Sequence, residues 1–363
     1  MRGSCKSFYF QYFPTGQISR FNIGQITCSQ QTTIKKTIED ARKLLKENQW
    51  VDKYKKYAEI LLSKEEGSEK RRKNFREWAP LYFYTCISLA AEAGNRLVLD
   101  VRYMGQNVAR LTCGENGQAT ISTKGSDYNY DANNRGHFEC KIPLDHEDWK
   151  GKEAAAFRKH FRDREQVRND GKKGNAEHNI ESLLLTEFSK RGEDKALRGI
   201  QPVRFAGIRF AMPTALSASK GLRLAEKKGG GVDILARVGS GRHTRLCVIE
   251  VKDEYDAKEP PQKVLQQAVA YAVFIRELLR SEAGPLWWRL FGFRGEMPAP
   301  LTLYAACAMP TQGSSGKPDD ESFAGTRLDV GGDSIECHYI YFNKAGDNAS
   351  LQSLKTSLPQ MGR

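Results

Sequence analysis

The chain has 363 residues, 39% of them hydrophobic and 28% charged, which is enough for two globular domains and excludes low-complexity or fibrous classes. A net charge of +13 predicts an acidic partner, with nucleic acid first and an anionic membrane surface second. No run reaches the 18 or so apolar residues of a membrane span, and MRGSCKSFYFQYF at the N-terminus lacks the uninterrupted apolar centre of a secretory signal, so the expectation is a cytoplasmic protein with no membrane partner.

Residues 8–28 alternate apolar and polar positions around Phe13-Pro-Thr-Gly16 and predict a β-hairpin. Residues 33–62 carry apolar positions at helical spacing and predict one or two helices. The charge run Lys64–Glu77 nearly balances its acids and bases, and reads as a solvated surface rather than a phosphate-contacting patch. The hydrophobic stretch 79–93 predicts a buried helix, LVLDVRYM (97–104) a strand, and the Gly-, Asn- and Asp-rich stretch 114–136 loops and turns. A basic helix is expected at 152–168. The breaker Asn169-Asp-Gly-Lys-Lys-Gly174 then suggests a division into an α+β accessory domain (1–170) and a second domain (171–363). The eight cysteines contain no C-x-x-C and read as reduced packing thiols; Cys113, His137 and Cys140 offer only three ligands, at no familiar zinc spacing.

Beyond residue 175 the expected order is a helix (176–191), strands at 200–211, 232–238 and 245–252, a long helix (262–281) and a strand (301–308). This predicts an α/β fold with a mixed sheet flanked by helices. Along 245–252, period-two alternation puts Leu246, Val248, Glu250 and Lys252 on one face, so a carboxylate and an ammonium leave the end of an apolar strand side by side. Asp233 opens the neighbouring strand across a short turn and can reach the same edge. Grouping such charges is costly unless they pair or hold a metal. Two acids on adjacent strands supply hard oxygen ligands for Mg²⁺, and a lysine beside them can orient or activate an attacking water.

Val232-Asp233-Ile234-Leu235 followed seventeen residues later by Ile249-Glu250-Val251-Lys252 resembles the PD-(D/E)XK nuclease superfamily. The resemblance covers residues 175–308, with Val232 standing where that family usually has proline. It implies a restriction-endonuclease-like core of helix, three strands, helix and strand. It also implies Mg²⁺- or Mn²⁺-dependent hydrolysis of nucleic-acid phosphodiesters, DNA rather than RNA. Asp233 and Glu250 would bind metal and Lys252 would serve the water. A glutamate from the first core helix would complete the ligand set; Glu181, with Leu184 and Phe188 at i+3 and i+7, is preferred, and Glu177 fits almost as well. Gln267 and Tyr271, at i and i+4 on the second helix, resemble the Q-x-x-x-Y element of exonuclease-type members, and read equally well as an ordinary polar pair.

Other features read as structural. Gly229-Gly-Gly231 is a flexible lead-in, since no helix follows it; Trp287, Trp288, Phe291 and Phe293 belong in a core; His178 and His243 are expected at the surface. The rival to a nuclease is a catalytically silent nuclease-fold domain that binds nucleic acid or serves an assembly. A homodimer is left open.

Overall fold

The computed structural model describes residues 28–66, 80–85, 97–114, 118–123, 138–166, 176–205, 208–209, 212–218, 221–224, 231–255, 259–312, 317–344 and 350–361. The hairpin expected at 8–28 lies outside these residues except at Cys28, and so does most of the charge run from 67 onward.

Helices α1 (Cys28–Lys46) and α2 (Val51–Glu66) come first. Ile34, Ile38, Ala41 and Leu45 form one buried stripe on α1, at the spacing that gives a helix a single apolar face. The strands β1 (Leu81–Thr85), β2 (Leu97–Tyr103), β3 (Gln106–Cys113), β4 (Ala119–Ser122) and β5 (Glu147–Asp148) follow, then α3 (Lys152–Gln166). The expectation of a buried helix over 79–93 is corrected at β1. Leu-Tyr-Phe-Tyr-Thr is rich in aromatics that suit a pleated surface, and it pairs antiparallel with β2 along its whole length. The loops expected at 114–136 contain β4.

Next come α4 (Ala176–Ser189), β6 (Ile200–Pro202), β7 (Arg204–Phe205) and β8 (Ile208–Arg209). Here a single strand was expected over 200–211. Instead β6 joins one sheet and β7–β8 another: the Val203 amide still donates to the Leu235 carbonyl of β11 at 2.8 Å, and the chain then crosses to the other sheet. The short pair β9 (Leu216–Ser217) and β10 (Arg223–Leu224) leads to β11 (Ile234–Val238), β12 (Arg245–Val251), α5 (Pro261–Arg280), α6 (Gly284–Leu290) and β13 (Thr302–Pro310). Strands β14 (Arg327–Val330), β15 (Asp333–Lys344) and β16 (Leu351–Thr356) complete the order, in a stretch where no element was expected from sequence.

Two sheets result. The first runs β5-β4-β3-β2-β1-β8-β7, and the second runs β14-β15-β13-β12-β11-β6, with β16 also paired to β15. The second sheet is mixed, since β12, β13 and β15 run parallel while β11 and β6 are antiparallel to their neighbours. Helix α4 is a layer shared by both sheets. Its Ile180, Leu184, Leu185 and Phe188 share one apolar cluster with Ile234, Cys247, Ile249 and Val251 of the second sheet and Tyr84 of the first. Helix α5 covers the other face of the second sheet, over Leu235, Leu246, Val248 and Leu303. Outside α5 lie α1, α2 and α6: Trp50 and Tyr54 meet Phe274 at ring centroid distances of 5.1 and 5.2 Å, and the Trp287 indole N–H donates to the Tyr54 carbonyl at 3.1 Å. The N-terminal helices finish the core around α5, and β7–β8 finish the first sheet.

Trp287 and Phe291 are fully buried, and Trp288 stacks on Phe293. Cys113, Cys140, Cys247, Cys307 and Cys337 are buried free thiols. Among the described residues no helix is long and apolar enough to cross a membrane.

Candidate metal centre

The antiparallel register of β11 and β12 pairs Ile234 with Ile249 and Leu235 with Val248, so one further step sets Asp233 opposite Glu250. Alternation then gives both carboxylates the face carrying Leu235, Leu246 and Val248, the α5 side. Asp233 is fixed by the Val251 amide, which donates to its Oδ2 at 2.8 Å. Where β12 ends, the Lys252 amide continues the ladder to the Ala308 carbonyl at 2.9 Å while its side chain turns into the cluster.

From the other layer, the first turn of α4 brings Glu177 to the same strand ends. Carboxylate oxygens of Glu177, Asp233 and Glu250 all lie within 4.8 Å of one another. Lys252 Nζ donates to Glu177 Oε1 at 2.8 Å and to Glu250 Oε1 at 3.4 Å. An acidic residue in a helix's first turn is also favoured by the helix dipole.

The preference for Glu181 as the helix carboxylate is corrected by this geometry, which puts Glu177 in the trio. Glu181 sits one turn further along α4, is 2% exposed, and accepts from or shares a proton with His178 Nδ1 at 3.2 Å. Both glutamates lie on the same helix face, but the oxygen that lies within 4.8 Å of those of Asp233 and Glu250 is Glu177's. Glu181 still acts on the site through its charge, which is the largest electrostatic influence on Asp233.

The electrostatics show how poorly the acids are neutralised. Burial, then the charges of Glu181 and Glu177, push the Asp233 carboxyl up to about 7, against the Val251 amide and Lys252. Burial and the charge of Asp233 raise Glu250 well above the usual carboxylate range, against Lys252. Lys252 is held above its ordinary value by Glu250 and Glu177, which outweigh the desolvation that opposes them. Two carboxylates 4.8 Å apart repel by on the order of 3 kcal/mol at an effective dielectric of about 20, and one ammonium cannot offset three such pairs. Glu250 Oε2 is buried with no hydrogen-bond partner. Clustered hard oxygens, excess negative charge and an orphaned carboxylate oxygen fit a divalent cation such as Mg²⁺ or Mn²⁺.

Gln267 and Tyr271 both lie on the buried side of α5. The Tyr271 hydroxyl accepts from the Ala218 amide at 3.2 Å, and burial and the Glu250 charge raise its proton affinity, so Tyr271 borders the acids. Gln267 Nε2 donates to Glu259 Oε1 at 3.4 Å, while its Oε1 is buried without a partner. The histidine expected at the surface, His178, is instead half-buried and tied to Glu181, with Asp233 close enough to favour its charged form. Its i, i+3 spacing from Glu181 was visible in the sequence, but not that the pair would be enclosed. His243 is exposed in the turn before β12. No protein-family model, no curated protein and no solved structure matches this chain.

Proposed function

We propose that this chain is a divalent-metal-dependent nuclease that hydrolyses nucleic-acid phosphodiester bonds, with DNA as the substrate, and that α4, β6, β11, β12, α5 and β13 form a restriction-endonuclease-like core. The observation that carries this reading is the trio Glu177, Asp233 and Glu250 with Lys252 bonded across two of its members. The order of helix, three strands, helix and strand supports it, as does the parallel pairing of β13 with β12 beside the site.

Glu177, Asp233 and Glu250 would hold Mg²⁺ or Mn²⁺. The bound cation would neutralise the carboxylates, polarise a phosphoryl oxygen and acidify a water. The protein's own share is positional. The Val251 amide fixes the rotation of the Asp233 carboxylate, and the cross-strand register fixes its separation from Glu250. Lys252 is a charged donor that spans Glu177 and Glu250, so it can orient a water or a phosphate oxygen at the rim and stabilise developing negative charge. Tyr271 and Gln267 close the site on the α5 side.

The test is a cleavage panel of linear, circular, branched and single-stranded DNA and of RNA, with Mg²⁺ or Mn²⁺, run beside Asp233→Ala and Lys252→Ala. Cleavage by the wild type and its loss in both variants is the expected result. Failure of the wild type to bind Mn²⁺ or to cut any substrate would sink the reading and leave a silent nucleic-acid-binding or assembly module.

A further inference from the structure

The first sheet reaches the metal centre through the turn between β2 and β3. Met104 and Gly105 both adopt left-handed backbone there, with φ of 48° and 76°. A Cβ on Gly105 would lie 2.3 Å from the His178 carbonyl oxygen, so the turn is seated directly on the first turn of α4, next to Glu177. The strands leading into this turn thus form a wall beside the acids.

Register defines which residues that wall presents. Tyr82 pairs with Arg102 and Tyr84 with Asp100, while Asp100 pairs with Arg110 and Tyr84 with Arg209. These positions share one face of the sheet, alternating with the fully buried Phe83, Leu99, Val101 and Leu111 of the other. Arg102 and Arg110 are half-buried on this face beside Asp100, while Tyr84 and Arg209 are buried in it. Arg102 is the one on the strand that runs into the turn seated on α4. Its guanidinium lies 4.4 Å over the Tyr84 ring and 3.5 Å from Asp100 Oδ2, so it is already ordered. Its side chain keeps 18% of its surface exposed, and its charge is felt at His178.

An acidic cluster repels the polyanion it is to cut, so binding requires a fixed cation close by. We propose that Arg102 is a substrate-binding residue that grips a backbone phosphate of the DNA strand, one neighbouring the phosphodiester presented to Glu177, Asp233 and Glu250, and that the face of β1–β3 around Arg102 and Arg110 is the wall along which that strand lies. This assignment rests on the nuclease reading of the trio. A guanidinium held flat by an aromatic ring offers a planar fork suited to a phosphate, and loses little entropy on binding it.

The experiment uses the full chain with Ca²⁺ in place of Mg²⁺, a fluorescein-labelled DNA duplex and its single strand, and anisotropy over a salt series. Arg102→Gln is expected to bind roughly tenfold more weakly, with the salt slope reduced by about one. Arg102→Lys should regain the slope but only part of the affinity. Under cleaving conditions Arg102→Gln should raise KM and leave kcat nearly unchanged, and Mn²⁺ binding by the variant should match the wild type, which also shows that it is folded. If Arg102→Gln and Arg102→Lys both bind DNA with wild-type affinity and slope, the assignment is overturned. It is also overturned if polyglutamate displaces the duplex as well as unlabelled DNA does, which would mark the wall as a seat for an acidic protein segment. Failure of the nuclease reading is registered separately, by absence of cleavage in the wild type, and the binding arm decides on Arg102 in either case.

Discussion

Two buried clusters of charge lie at opposite ends of the second sheet. At the start of β15, Asp333 is 5% exposed, and each of its oxygens accepts two donors: Arg280 Nη2 at 2.6 Å and the Leu301 amide at 2.8 Å on Oδ1, Arg276 Nε at 2.8 Å and Arg280 Nε at 2.9 Å on Oδ2. Despite its burial, these partners hold the Asp333 carboxyl down at about 2. At the other end, where β12 stops, three carboxylates share one lysine and Asp233 is pushed up to about 7. One cluster is complete within the chain. The other keeps an excess of negative charge, and that contrast separates an ion pair that holds the fold from the candidate metal centre.

The comparison can be broken at either end. The largest effect is expected at Asp333: Asp333→Ala leaves Arg280 without its acid and Arg276 with Glu277 alone, and should cost about 3–5 kcal/mol in urea unfolding. A loss near zero would show that the arginines find water or other acceptors. At the metal centre, Mn²⁺ at about 100 times its Kd should stabilise the wild type by about 2.7 kcal/mol in thermal unfolding, and Asp233→Ala should abolish the shift. An equal shift in both would put the ion elsewhere.

The pH dependence sharpens the contrast further. The carboxyl of Asp333 lies lower in the folded chain than in the unfolded one, so its contribution is complete above about pH 4 and disappears as the pH falls towards 2. That contribution, on the order of 2 kcal/mol, should be missing from the acid limb of the stability curve of Asp333→Asn. The smallest effect has the opposite sign. Without metal, Glu250→Gln replaces the carboxyl whose charge burial and Asp233 disfavour, and should stabilise the protein by about 1 kcal/mol as the pH rises above neutral, where that proton leaves. Destabilisation by that amount would mean that Lys252 already balances the trio.

Much of the candidate metal centre is legible in the sequence because its main parts are local. Alternation along 245–252 is a property of any strand, so Glu250 and Lys252 had to share a face, and the short turn at 239–244 fixed Asp233 opposite Glu250. Glu177 and Glu181 could not be separated in this way. They are one helical turn apart on the same face, and which of them reaches the strand ends depends on how far α4 has slid along the sheet. At Leu81–Thr85 a short apolar run carries no period that distinguishes a strand from a helix. At 200–211 a single apolar stretch served two sheets, which only the exit after Val203 reveals.

The sequence by itself determined α4, β11, β12, α5 and β13, the facing of Asp233, Glu250 and Lys252, and an excess of positive charge, since all of these follow from backbone periodicity and composition. The tertiary structure decided that Glu177 closes the trio, that Glu181 and His178 are enclosed beside it, that α1 and α2 complete the core around α5, and that the turn between β2 and β3 is seated on α4. Those are relations between segments far apart in the chain, set by how layers stack and where their ends meet, and no local pattern encodes them.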